Sequence, residues 1–252
     1  YVTTALQEDT QFNVNFVDGL VETDRFGNYV GAIAESWDHN DDSSVWTFHL
    51  KKGVNWSTNS GEVYDEVKAQ DFVTSARHVA EFKSATVQNL SVIAGLADYS
   101  KDGDYSDEAW AKVGVKALDD YTVEYTLDTP TPYFYTSVEY MPFYPISQKF
   151  LESKGDGCKL GNPDVNSCSF GSLTPDSILY CGGFVLTAAD SKSKTVITKN
   201  ENYWDADNIK LDSVTYIYND GSDPYSSIRG FEQNTYASAS LPSTNPEVYT
   251  AL

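Results

Sequence analysis

Val45-Trp46-Thr47-Phe48-His49-Leu50, continued by Lys51-Lys52-Gly53-Val54-Asn55-Trp56-Ser57, is the stretch whose pattern decides the fold. Apolar Trp46, Phe48 and Leu50 alternate with Thr47 and His49, the period of two that sets one strand face on a core and the other in water. The polar run Asn40-Asp41-Asp42-Ser43 turns the chain into this strand, and the segment through Gly53 to Trp56 ends it. Downstream, Ala69, Phe72, Val73, Ala76, Val79 and Ala80 are spaced for one helical face, with Asp71 near the start where a carboxylate suits the helix dipole. Val113–Leu118 and Thr122–Leu127 read as a hairpin around Asp119-Asp120. Pro130, Pro132, Pro142 and Pro145 then break an aromatic region into short pieces. Residues 182–186, 195–198 and 214–218 are further strands, and residues 153–178 form a long irregular loop. Upstream, Phe12, Val14, Phe16, Val17 and Leu20 predict a short helix capped by Asp9 or Thr10, followed by a strand from Val21 to Asp24. Strands outnumber helices, so the expected class is mixed α and β (α+β) with a largely antiparallel component.

The 37 acidic against 17 basic side chains give a formal charge of −20, which repels phosphate backbones and excludes nucleic acid as a natural partner. No apolar run is long enough for a membrane span and no signal peptide is visible; the start at Tyr1 without Met points to a processed or trimmed terminus. Eighteen tyrosines suit wet binding surfaces, because each has a broad apolar face and a polar tip, but they also serve ordinary strands.

Three cysteines, Cys158, Cys168 and Cys181, cannot all pair within the chain. A Cys158–Cys168 disulfide would close a Gly/Asn/Pro-rich loop outside the cell, while three separate thiols would be ordinary in a reducing compartment. No CxxC pair or nearby His supplies zinc-ligand spacing, and no metal or other cofactor is expected. Catalytic signatures are missing as well: there is no GxSxG elbow, no phosphate-binding glycine loop, and His39, His49 and His78 stand apart. His49 and His78 read as solvated or locally bonded, and Asp41-Asp42 and Asp119-Asp120 as turn residues rather than metal ligands or acid catalysts. The expected protein is not an enzyme.

Taken in order, several segments resemble the large substrate-binding proteins of oligopeptide ABC importers, the family 5 extracellular solute-binding proteins. They are Phe16-Val17-Asp18-Gly19-Leu20-Val21, Gly31-Ala32-Ile33-Ala34-Glu35-Ser36-Trp37, the strand Trp46–Ser57, Val67-Lys68-Ala69-Gln70-Asp71-Phe72-Val73, Gly114–Val123, Pro130–Phe134, Gly183–Leu186 and Lys199-Asn200-Glu201-Asn202-Tyr203-Trp204-Asp205. The long form Trp56–Tyr64 ahead of Val67 is similar to the streptococcal oligopeptide-binding lipoprotein type. Cys181 departs from the Asn common there, and the cysteine-bearing loop is unusual.

The resemblance implies a type II (cluster C) periplasmic-binding-protein-like fold, present as a first lobe plus an inserted subdomain and incomplete. Residues 1–30 and 180–252 would belong to the main lobe near the hinge and residues 31–179 to the inserted subdomain, with the periodic pattern breaking around 128–180. The second main lobe, expected beyond Leu252, and the lipid-anchor region, expected before Tyr1, would be absent. The implied partners are an oligopeptide ligand, an importer permease and, through the lipid anchor, a membrane; the implied location is the extracytoplasmic surface of a Gram-positive bacterium. By position, Gln7, Glu8, Ser238, Ser240 and Leu241 match family segments that face the cleft, or else are exposed loop residues. Tyr216 and Tyr218 alternate on a strand leading toward the hinge, so both could line the cleft or pack in the core. Trp37, Trp46, Trp56 and Trp204 are expected to fill cores. Open alternatives are a receptor for a dipeptide, nickel, haem or a sugar, and a surface protein used in peptide sensing or adhesion.

Overall fold

A computed structural model describes residues 7–239 except 173, 191 and 224. Helix α1 (Gln7–Phe16) leads to β1 (Val21–Thr23), β2 (Tyr29–Gly31), β3 (Ala34–His39), β4 (Val45–Leu50), β5 (Asn55–Ser57) and β6 (Val63–Glu66). Then come α2 (Ala69–Glu81), α3 (Leu96–Asp102), α4 (Asp107–Trp110), β7 (Val115–Asp119), β8 (Thr122–Thr126), α5 (Phe134–Ser137) and α6 (Gln148–Glu152). The chain closes with β9 (Phe184–Ala189), β10 (Lys194–Lys199), β11 (Ser213–Ile217) and α7 (Ser226–Glu232). Short 3₁₀ turns, among them Val87–Leu90, Met141–Phe143 and Asp156–Cys158, join the longer elements.

The alternating stretch is β4, buried at Trp46, Phe48 and Leu50, and it lies inside the four-stranded sheet β3-β4-β8-β7. Every strand pairing is antiparallel: β4 on β3 and β8, the β7–β8 hairpin, and the sheet β11-β10-β9. Trp46 and Phe48 meet Tyr125 of β8 and Phe134 of α5 in an aromatic layer with ring centroids about 5 to 6 Å apart. Burying each such ring contributes roughly 2–3 kcal/mol. One continuous core runs from Phe16 to Ile197, so the segments before residue 31 and after residue 180 share it with those between.

The first helix begins earlier than its apolar spacing suggests: Gln7, not Asp9 or Thr10, opens it, and it ends at Phe16. Residues 17–20 leave the helix because their carbonyls are needed elsewhere. Ile33 N–H donates to Gly19, and Ala32 and Ala34 N–H both donate to Leu20. Gly182 fits against this helix end only without a side chain, since a Cβ there would lie 2.7 Å from the Asn15 carbonyl.

The irregular loop is built on a disulfide. Cys158 and Cys168 are joined, and Phe170 beyond them reaches the imidazole of His78, 5.5 Å between centroids. Loop cover and Phe82 together bury His78, correcting its expected solvated setting. Burial lowers its pKa to about 3. The bridge spans a sequence separation of 10. Replacing both half-cystines with serine is expected to lower stability by about 2–3 kcal/mol. Urea unfolding with and without reductant checks this, since only the parent chain should respond to the reductant. Cys181 is a free, buried thiol under α1, its N–H donating to Phe16.

Candidate functional site

One concavity among the described residues is an open groove of about 630 Å³. It is assembled from α1 and the strand after it together with Ala32, the turn at residues 85–89, and residues 139–144. Thr10 and the exposed Val14 stand one turn apart on one face of α1, while Val17 and Val21 lie buried beneath the groove beyond it. Asn13 holds the helix to the third stretch, its Nδ2 donating to Met141 Sδ at 3.5 Å. Gly19 allows the close approach of Tyr144, whose ring would stand 2.9 Å from a Cβ at that position. The exposed amides of Gln88 and Asn89 and the exposed Tyr140 add neutral polar groups at the rim.

Charge in the groove is of one sign. Asp18, Glu22 and Glu139 line it, and no Lys, Arg or His does so among the described residues. Glu139 accepts a 2.5 Å hydrogen bond from Thr23 Oγ1. Asp18 accepts from Trp204 Nε1 at 2.8 Å and also from Tyr203. Burial pushes the Asp18 carboxyl up to about 7, overriding both hydrogen bonds, with Glu22 adding and Lys51 opposing. Glu22 is raised by partial burial first, with Asp205 and Glu139 adding and Lys51 opposing. Lys51 itself is turned to the backbone: its ammonium donates to the carbonyls of Gly31 (2.8 Å) and Ala32 and sits 3.7 Å over the Trp204 ring.

A sequence pattern described as "Bacterial extracellular solute-binding proteins, family 5 Middle" matches residues 28–249. The chain belongs to this family. The family's signature strand is β4 with its continuation into β5, and the tryptophans of its motifs pack against the core. Trp46 and Trp56 are fully buried and Trp37 and Trp204 partly so.

Two relatives from Streptococcus pneumoniae are the oligopeptide-binding proteins AmiA, 38% identical over 97% of this chain and 35% of its own length, and AliB, 41% identical over 90% and 33%. The chain therefore spans about a third of the length of the curated relatives it matches. Among solved structures, the substrate-binding domain of an oligopeptide ABC transporter from Bacillus anthracis superposes with a TM-score of 0.83 at 26% identity. That match covers 99% of this chain and 44% of the other.

The residues anticipated from sequence fall in separate places. Gln7 and Glu8 form the first turn of α1, the helix that supplies Thr10 and Val14 to the groove. Tyr216 stacks edge-on against Phe12 at 4.7 Å, and Phe12 lies about 200° around α1 from Thr10, on the face away from the groove. Tyr218 follows the end of β11 and is exposed, as is Ser238; neither lines the groove. Ser240 and Leu241 lie outside the described residues. Reading along the chain misses Asp18, Glu22, Glu139 and Tyr140, because no local motif joins positions more than a hundred residues apart. The one available signal was the departure from apolar pattern at Asp18 within an otherwise buried stretch, Phe16 to Val21.

Proposed function

We propose that this chain forms one wall of an oligopeptide-binding site in the receptor of an ABC importer, acting by capture and delivery and not by catalysis. The observation that carries the reading is the identity shared with AmiA and AliB over nine-tenths or more of the chain. The groove suits such a ligand: an apolar floor flanked by amide, hydroxyl and carboxylate groups can take side chains while neutral polar groups and water serve the peptide backbone. An extracytoplasmic setting, a lipid anchor at a Gram-positive cell surface and a permease partner belong to the same proposal. So do the division into a hinge-side lobe (1–30 and 180–252) and an inserted subdomain (31–179), and ligand contact by Gln7, Glu8, Tyr216, Tyr218, Ser238, Ser240 and Leu241.

Because a peptide clamped by two walls loses most of its contacts when one is missing, the chain by itself should bind oligopeptides more weakly than micromolar. Calorimetric or spectroscopic titration with a randomised pentapeptide pool should give a weak, saturable response that dipeptides, nickel, haem and simple sugars do not. A response confined to one of those other solutes would sink the proposed function. Micromolar or tighter peptide binding would instead overturn the need for a second wall.

A further inference from the structure

The chain carries one methionine and three cysteines, so its sulfur chemistry is confined to these few side chains. Cys158 and Cys168 are already joined, and Cys181 is a thiol only 1% exposed whose pKa burial raises, so little reactive thiolate forms there. Met141 is placed differently. It is partly exposed and lines the groove, whereas Pro142, Phe143 and Tyr144, which follow it directly, are buried. Its sulfur also joins two parts of the fold: Asn13, only 7% exposed, donates from Nδ2 to Met141 Sδ at 3.5 Å. A thioether is a weak acceptor, yet through it this buried amide ties α1 to the 139–144 side of the groove.

We propose that Met141 is an oxidation site, with a peroxide as the oxidant, and that its sulfoxide resets the joint between α1 and the 139–144 side of the groove. The sulfur lone pair attacks one peroxide oxygen, and the S–O bond forms as the O–O bond breaks. The departing hydroxide takes the proton of the transferred hydroxyl and leaves as water. The sulfur gives up the electron pair that the peroxide gains. The product replaces a polarisable, weak acceptor with a strong one standing one bond further out. At 3.5 Å the amide and the sulfur leave no room for an oxygen directly between them, so the helix and the turn shift against each other or the oxygen turns out into the groove. In the first case α1 moves, and in the second the Asn13 amide keeps only a poorer acceptor. The chemistry is independent of the solute the groove takes.

Dilute hydrogen peroxide acting on the folded 252-residue chain should add a single oxygen, located on Met141 by peptide mass spectrometry. The rate should lie less than about thirtyfold below that of the urea-unfolded chain. Slower reaction would mean that the sulfur is reached only through local opening, and a first oxygen on another residue would make that residue the site; either result overturns the proposal. In the isotopically labelled chain, oxidation should move the Asn13 side-chain amide resonances and the backbone amides of residues 10–17 as well as those of 139–144, and leave β4 and β8 in place. Changes confined to 139–144, or none at all, would show an oxidised side chain with no joint behind it and overturn the reset. Met141→Leu, which nearly conserves volume, should show none of these changes under the same peroxide treatment. Shifts that persist in this variant would belong to another side chain and refute the assignment to Met141.

Discussion

Trp56→Ala is expected to lower the unfolding free energy by about 4 kcal/mol. The side chain is almost wholly buried, so the substitution leaves a cavity that the packed surroundings fill only in part. A second loss adds to it. The indole Nε1 donates at 2.8 Å to Asp71 Oδ2, which also accepts from Lys68 N–H and so ties the start of α2 to β5. Removing the indole leaves that carboxyl short of a partner in a buried setting, which costs on the order of another 1–3 kcal/mol. Trp56→Phe keeps most of the volume and isolates the hydrogen-bond loss, so it should fall near the lower of these figures. Urea unfolding would measure both, with the midpoint lowered and the slope unchanged. A loss under about 1 kcal/mol for Trp56→Ala would contradict the packing role assigned to this residue.

Raising the pH from about 4 to 7 should destabilise the chain, and Asp18 and Asp71 are the cause. Burial lifts both carboxyls to about 7, against an ordinary value of 3.8. Between those values the folded protein binds protons that the unfolded chain has released, so stability declines with pH and the decline ends once the folded groups ionise. Each group contributes at most about 4 kcal/mol across the window. Exposed carboxylates held low by local hydrogen bonds, such as Asp24, Asp42 and Asp119, act in the opposite sense, losing their contribution only as the pH falls through their lowered values. The optimum is therefore expected at mildly acidic pH. Thermal unfolding from pH 4.5 to 8 should show Tm falling, with a shallower slope in Asp18→Asn and in Asp71→Asn, whose amides still accept the indole hydrogen bonds. A Tm that rises or stays level over this range in the parent chain would refute the assignment.

Much of the scaffold could be read from local chemistry. The alternation at 45–50 became β4, and the turn at Asp119-Asp120 became the β7–β8 hairpin. The apolar spacing after Lys68 became α2 with Asp71 in its first turn. These are decisions made by neighbours, and neighbours are what a sequence displays. The end of α1 and the burial of His78 were decided by distant partners, the carbonyls required by residues 32–34 in one case and the disulfide loop in the other. The candidate site belongs wholly to the second kind. Its carboxylates come from residues 18, 22 and 139, and the group that orients Asp18 is 186 positions further along.

That separation has a consequence for how the chain comes off the ribosome. Asp18 emerges well before Trp204, which holds it and follows 186 residues later. At a synthesis rate of about 5–20 residues per second, the segment around Asp18 waits on the order of ten seconds or longer for its partner. During that interval the apolar stretch Phe16–Val21 has no β9–β10 sheet to rest against, while the β3-β4-β8-β7 sheet, complete by residue 126, can already assemble. The groove is thus completed only after residue 204 has been made, and a chain arrested short of that point would expose the stretch to chaperones and proteases.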